Sequence, residues 1–142
     1  MPAGPAVAVA VTFVWLGMVL AISFLEAPLK FRAPGVTLPI GLGIGRLVFR
    51  ALNALEAVLA VALVVALVAD PPAATATVAV AVAIAALAIQ LVAVRPALTR
   101  RSDAVLAGQD TPRSRAHYAY VAAELVKLVA LLVGGIAALA SV

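Results

Sequence analysis

Cysteine is absent from the 142 residues of this chain. That excludes disulfides, thiolate metal sites and a cysteine nucleophile, and removes any marker of redox compartment. Histidine occurs once, at His117. On a helix His117 and Glu124 stand two turns apart, about 10 Å, too far to share one ion. A metal site would need carboxylates from other helices, and no ligand spacing supports one. Charge is scarce, at 11% of residues, and so are aromatics, at 5%. Few aromatics accompany the basic residues, Tyr118 and Tyr120 among them, which argues against a nucleic-acid surface despite a pI of about 10.4.

What is present is apolar. Hydrophobic residues make up 66% of the chain, and its mean hydropathy is +1.23. A soluble domain of this size has no interior large enough to hide so much apolar surface. A helical span needs about 20 apolar residues to cross roughly 30 Å of hydrocarbon. Four such runs occupy nearly the whole sequence, at about 6–26, 40–69, 74–95 and 118–139. The pattern predicts an all-α, four-transmembrane-helix bundle forming a single domain over residues 1–142. The first run lacks a basic leader and exceeds the length of a signal-peptide core, so it is expected to be a retained span.

Between the runs the charges segregate. All 10 Lys and Arg residues fall on one side, and the other side carries Asp70 and the chain ends. Cytoplasmic loops collect Lys and Arg. The expectation is therefore N- and C-termini outside, basic cytoplasmic loops, and residence in a bacterial inner membrane. Arg100, Arg101, Arg113 and Arg115 read as topology determinants.

Several boundaries are marked locally. Glu26 and Pro28 are expected to end the first span, and Arg95-Pro96 the third. Pro34-Gly35 signals a turn. Thr37-Leu38-Pro39 reads as an N-cap with proline in the first turn. A helix from there to Val68 would be about 45 Å long, more than hydrocarbon thickness, so Leu38 to Arg50 is expected to kink or to lie partly in the interface. Gly41 and Gly45 form a small-xxx-small pair suited to a helix contact or dimer face. Gly134-Gly135 reads as packing. The loop after Pro96 has room for a short surface helix.

The intramembrane polar residues share faces. Arg46, Arg50, Asn53 and Glu56 step by four, three and three, and His117, Tyr120, Glu124 and Lys127 by three, four and three. Those steps keep each set on one helical face. Glu26, Glu56, Gln90 and Glu124 are expected within about two turns of the cytoplasmic boundary. Charges in hydrocarbon cost about 2.5–3.5 kcal/mol on insertion scales, so these groups should face each other or a wet cavity. Glu26–Lys30 and Glu124–Lys127 can pair locally. Arg46 and Arg50 need a carboxylate from another helix, such as Glu26 or Glu56, or an anionic ligand. Against Glu26, Glu56 and Glu124 stand Lys30, Arg46, Arg50, Arg95 and Lys127, a surplus of two positive charges that favours an anion or phosphate headgroup. The candidate ligand-binding residues are therefore Glu26, Lys30, Arg46, Arg50, Asn53, Glu56, Gln90, Arg95, His117, Tyr120, Glu124 and Lys127. Glu56 is the deepest ionisable group and the best candidate for proton coupling.

The stretch Glu26-Ala27-Pro28-Leu29-Lys30-Phe31-Arg32-Ala33-Pro34-Gly35-Val36-Thr37-Leu38-Pro39-Ile40-Gly41-Leu42-Gly43-Ile44-Gly45-Arg46 resembles a segment of an uncharacterised family of small bacterial four-span integral membrane proteins. The resemblance covers the whole chain in layout; it implies the fold and no chemistry. Three functions stay open. One is a cytoplasm-facing polar pocket that binds or transports an ion, small anion or lipid headgroup. Another is a small membrane enzyme acting on a lipid-linked substrate at the cytoplasmic interface. The third is a structural or accessory subunit whose charges only lock helices. No cofactor is implied. The expected partners are membrane lipids, anionic headgroups among them, and transport across so small a bundle calls for a homo-oligomer.

Overall fold

A computed structural model describes residues 2–109 and 115–141; Asp110 and Arg113 fall outside them. The described residues form four long helices, each long and apolar enough to cross a membrane, and no strand. We label them α1 (Ala3–Arg32), α2 (Leu38–Ala69), α3 (Ala74–Leu106) and α4 (Arg115–Ala140). Helix α1 packs against both α2 and α4, and α4 against α3, so α1 and α4 form the centre of the bundle. Gly4 lies against Asp70, which places the start of α1 beside the α2–α3 turn.

The connections follow from local chemistry. The amide of Val36 donates to the Ala33 carbonyl at 3.2 Å across Pro34-Gly35, and Gly35 sits at φ 82°. Proline at the first central position and a left-handed residue at the second make a type II turn, which glycine adopts without steric cost. The Thr37 hydroxyl then accepts from the Ile40 amide at 3.4 Å and caps α2. Asp70-Pro71-Pro72 stops α2. Helix α3 ends where the amides of Gly108 and Gln109 fold back onto the Val105 and Ala104 carbonyls, each at 3.0 Å, the paired bonds of a Schellman cap.

Two helices run further than their prolines suggest. Helix α1 continues through Pro28 to Arg32, and α3 through Pro96 to Leu106, so the residues after Pro96 extend α3 and do not form a separate surface helix. Both pass their proline on a widened π-helical turn, Leu20–Glu26 and Gln90–Val94. Proline offers no N–H and crowds the carbonyl four residues earlier. A π turn shifts the bonding pattern by one residue and relieves that conflict without ending the helix. Helix α2, in turn, runs through Leu38 to Arg50 as uninterrupted α-helix.

The core is small-sided. Trp15, Val19, Leu63, Ala83 and Leu131 are fully buried, with alanines filling the rest. Glycines set the closest approaches. A side chain at Gly135 would sit 2.7 Å from the Phe13 ring of α1, and one at Gly41 would run into the Phe31 ring. Both glycines thus serve contacts within one chain, where small residues let helices close up.

Candidate functional site

The polar residues divide into two layers. The deeper one is a closed network across all four helices. Lys127 of α4 reaches Glu56 of α2 at 2.5 Å and Glu124 of its own helix at 2.5 Å. It also donates to the Gln90 side-chain carbonyl of α3 at 2.8 Å. The Gln90 amide donates in turn to Glu124 at 2.7 Å and to the Tyr120 backbone carbonyl at 3.3 Å. Helix α1 enters through Trp15, whose indole N–H donates to Glu56 at 2.8 Å, and through Ser23, whose hydroxyl donates to Glu124. Glu56, Gln90 and Lys127 have no exposed surface at all, and Glu124 has 2%.

Such a cluster needs pairing and hydrogen bonds to survive in low dielectric; Lys127, Gln90, Trp15 and Ser23 supply them here, while Glu56 Oε1 has no partner. The two π turns contribute to it, since Ser23 lies in one and Gln90 opens the other. A displaced register re-aims side chains, which is one reason π turns recur at functional positions. Formally the network holds two carboxylates against one ammonium. From Glu56 towards the Asp70 end the only buried polar side chain among the described residues is Thr12, which bonds its own Ala8 carbonyl at 2.7 Å.

Above the network, towards the basic end, lies a cavity of about 650 Å³. Every helix lines it with one face: Ser23, Phe24 and Lys30 from α1; Gly41, Gly45, Arg46, Phe49, Arg50 and Asn53 from α2; Leu91, Arg95, Leu98, Arg101 and Ser102 from α3; His117, Tyr120, Val121 and Glu124 from α4. The added first turns of α2 form one of its walls. The continuation of α3 beyond Pro96 forms another. Glu56 of α2 and Gln90 of α3 lie several turns in from the Leu38 and Leu106 helix ends, and the cavity occupies the turns between.

Most positive charges on the cavity wall already have company. Lys30 stands 3.9 Å from Glu26 and 5.5 and 5.8 Å from the Phe31 and Phe49 ring centres. Arg46 is bound by Asp103 at 2.5 Å, a half-exposed pair at the rim. A carboxylate from another helix thus answers Arg46, but it is Asp103 and not Glu26 or Glu56. Glu56 is taken by Lys127 and Trp15, and the extended α3 carries Asp103 over to Arg46. Arg95 lies over the Phe49 ring at 5.6 Å, within reach of the repulsive fields of Arg50 and Arg46. Neither Arg50 nor Arg95 has a carboxylate partner among the described residues. Three further polar atoms on cavity residues, Asn53 Oδ1, Ser102 Oγ and Tyr120 Oη, are buried without a hydrogen-bond partner. Buried polar groups are bonded in the great majority of cases, so unpartnered ones mark positions of interest.

Of the twelve residues that the sequence singles out, Glu56, Gln90, Glu124 and Lys127 are joined in the network. Lys30, Arg46, Arg50, Asn53, Arg95, His117, Tyr120 and Glu124 line the cavity, with Glu124 belonging to both layers. Glu26 does not line it and meets the site only through Lys30. Sequence reasoning missed Trp15, Ser23, Phe49, Ser102 and Asp103, and it gave Arg101 a loop role although that residue lines the cavity. Phe49 was detectable, since it precedes Arg50 and lies three residues from Arg46 on the same flank. Arg113 lies outside the described residues. Among the described residues, no group of three histidine or acidic side chains is placed to hold a metal ion.

Comparisons with family models, curated proteins and solved structures return no match for this chain.

Proposed function

We propose that the chain is a multi-pass inner-membrane protein that binds an anion in the cavity at its basic, cytoplasmic end. The observation that carries this reading is the pair Arg50 and Arg95. They line the same cavity from α2 and α3, repel each other and have no carboxylate partner among the described residues. Two guanidinium groups converging on a semi-enclosed space attract an anion and offer it forked hydrogen bonds. Arg95 is further oriented by the Phe49 ring beneath it.

Binding fits better than conduction. The floor of the cavity is the buried network, and beyond it the buried side chains are apolar apart from Thr12. An anion would have to cross that dry half unassisted, at a cost of several kcal/mol. The orientation follows from the basic residues gathered at the cavity end against Asp70 at the other. A reporter active only in the cytoplasm, fused after Val142, should stay silent; an active fusion reverses the assignment.

The binding test is direct. The purified protein in detergent should be stabilised against heat by a phosphate-bearing amphiphile. Arg50→Gln and Arg95→Gln should each weaken apparent affinity by about tenfold, the loss of one charge-assisted contact. Unchanged affinity in both variants would sink the reading.

A further inference from the structure

We infer that the cavity takes a phosphate monoester carried on an apolar chain, a conclusion that rests on the anion-binding reading above. Charge, hydrogen bonding and wall chemistry each contribute.

Arg50 and Arg95 provide two positive charges without carboxylate partners among the described residues. A phosphate monoester carries roughly −1.5 to −2 at neutral pH, which matches that pair; a carboxylate or a phosphate diester, with one charge, leaves one arginine uncompensated. Ser102 of α3 and Tyr120 of α4 line the same cavity, and their buried hydroxyls have no hydrogen-bond partner. Each is a hydrogen-bond donor, and a monoester phosphate presents three acceptor oxygens.

The remaining wall requires something apolar. At about 650 Å³ the cavity lies within the range of roughly 300–1,000 Å³ typical of drug-sized ligands, whereas one water occupies about 30 Å³ of liquid. An inorganic phosphate would fill a small corner. Phe24, Leu42, Leu98 and Val121 would then face water, although they could contact a hydrocarbon chain. On the α1 and α2 flank, next to the cavity, Leu29 is 46% and Leu47 69% exposed. In a membrane these exposed side chains would face hydrocarbon, the medium that an apolar ligand chain comes from.

The experiment uses the full chain in detergent and three probes: dihexanoyl phosphatidic acid, inorganic phosphate and dihexanoylglycerol. Calorimetry should show the phosphatidic acid binding about tenfold or more tighter than inorganic phosphate, with no measurable heat from the diacylglycerol. Leu98→Gln on the apolar wall should weaken the phosphatidic acid and leave inorganic phosphate unchanged. Arg50→Gln should weaken both, and because Arg50 is exposed its replacement spares the core. Equal affinity for inorganic phosphate and phosphatidic acid would overturn the amphiphile inference and leave the anion site standing. Tight binding of the diacylglycerol would overturn the phosphate assignment. No binding of either phosphate would overturn both readings.

Discussion

Replacing Lys127 with methionine should destabilise the bundle by about 3–5 kcal/mol, the cost of removing one partner from a buried ion pair. Lys127 has no exposed surface and is the only cation among the described residues in contact with Glu56 and Glu124. Methionine fills a similar volume, so the effect isolates charge from packing. Two carboxylates would face each other in low dielectric, and Gln90 would lose its donor. Glu56→Gln should behave very differently, with a change within about 1 kcal/mol. Glutamine still accepts from Trp15, and the remaining Lys127–Glu124 pair is balanced in charge. The double variant Lys127→Met, Glu56→Gln should then be more stable than Lys127→Met alone, a coupling that a double-mutant cycle measures. Thermal unfolding in detergent gives the ranking. If Lys127→Met melts with wild type, the network does not hold the four helices together.

Trp15→Ala should have a comparable effect, about 3–5 kcal/mol, the usual range for deleting a large buried aromatic. Trp15 is completely buried at the centre of the α1 contacts and joins packing to the network through its bond to Glu56. In a bilayer, helices associate through close packing and interhelical hydrogen bonds, so a void forfeits contacts that lipid cannot restore. Trp15→Phe separates the two contributions. It keeps most of the ring and loses the N–H, so it should cost about 1–3 kcal/mol, the penalty of a buried acceptor left short of a donor. A Trp15→Phe variant as unstable as Trp15→Ala would mean that the hydrogen bond carries the whole effect. A mild Trp15→Ala would show that α1 is not wedged between α2 and α4.

These predictions rest on parts of the molecule that differ in how far the sequence shows them. Helical content and the four apolar segments are plain from composition and run length, because covering a long segment with apolar residues leaves a distinctive signal. The Pro34-Gly35 turn and the Thr37 cap are equally plain, since each depends on two or three neighbouring residues. The pairing of Lys127 with Glu124 is local too, three residues apart on one helix. The shared faces of Arg46, Arg50, Asn53 and Glu56 and of His117, Tyr120, Glu124 and Lys127 follow from helical period.

Partner choice is another matter. Trp15 and Ser23 fall within the first apolar run and Asp103 in the polar stretch after Pro96, and their partners are not neighbours in sequence. Each acquires its role from a helix distant in sequence. The prolines were the other obstacle. Pro28 and Pro96 carry a strong stop signal, and a π turn overrides it only when neighbouring helices hold the continuation in place. That continuation brings Asp103 to Arg46 and thereby leaves Arg50 as the arginine of α2 without a carboxylate partner among the described residues.

By itself, then, the sequence determined the solvent this chain is built for, the number and approximate extent of its helices, and the gathering of positive charge at one end. Those properties are sums or periodicities along the chain. The tertiary structure alone decided that the polar residues form two layers, a buried ion-paired lock and a basic cavity above it. That division depends on which charges come within 3 Å of each other across four helices. Local spacing places a residue on a face, but only the packing of that face against three others determines whether its charge is satisfied or left for a ligand.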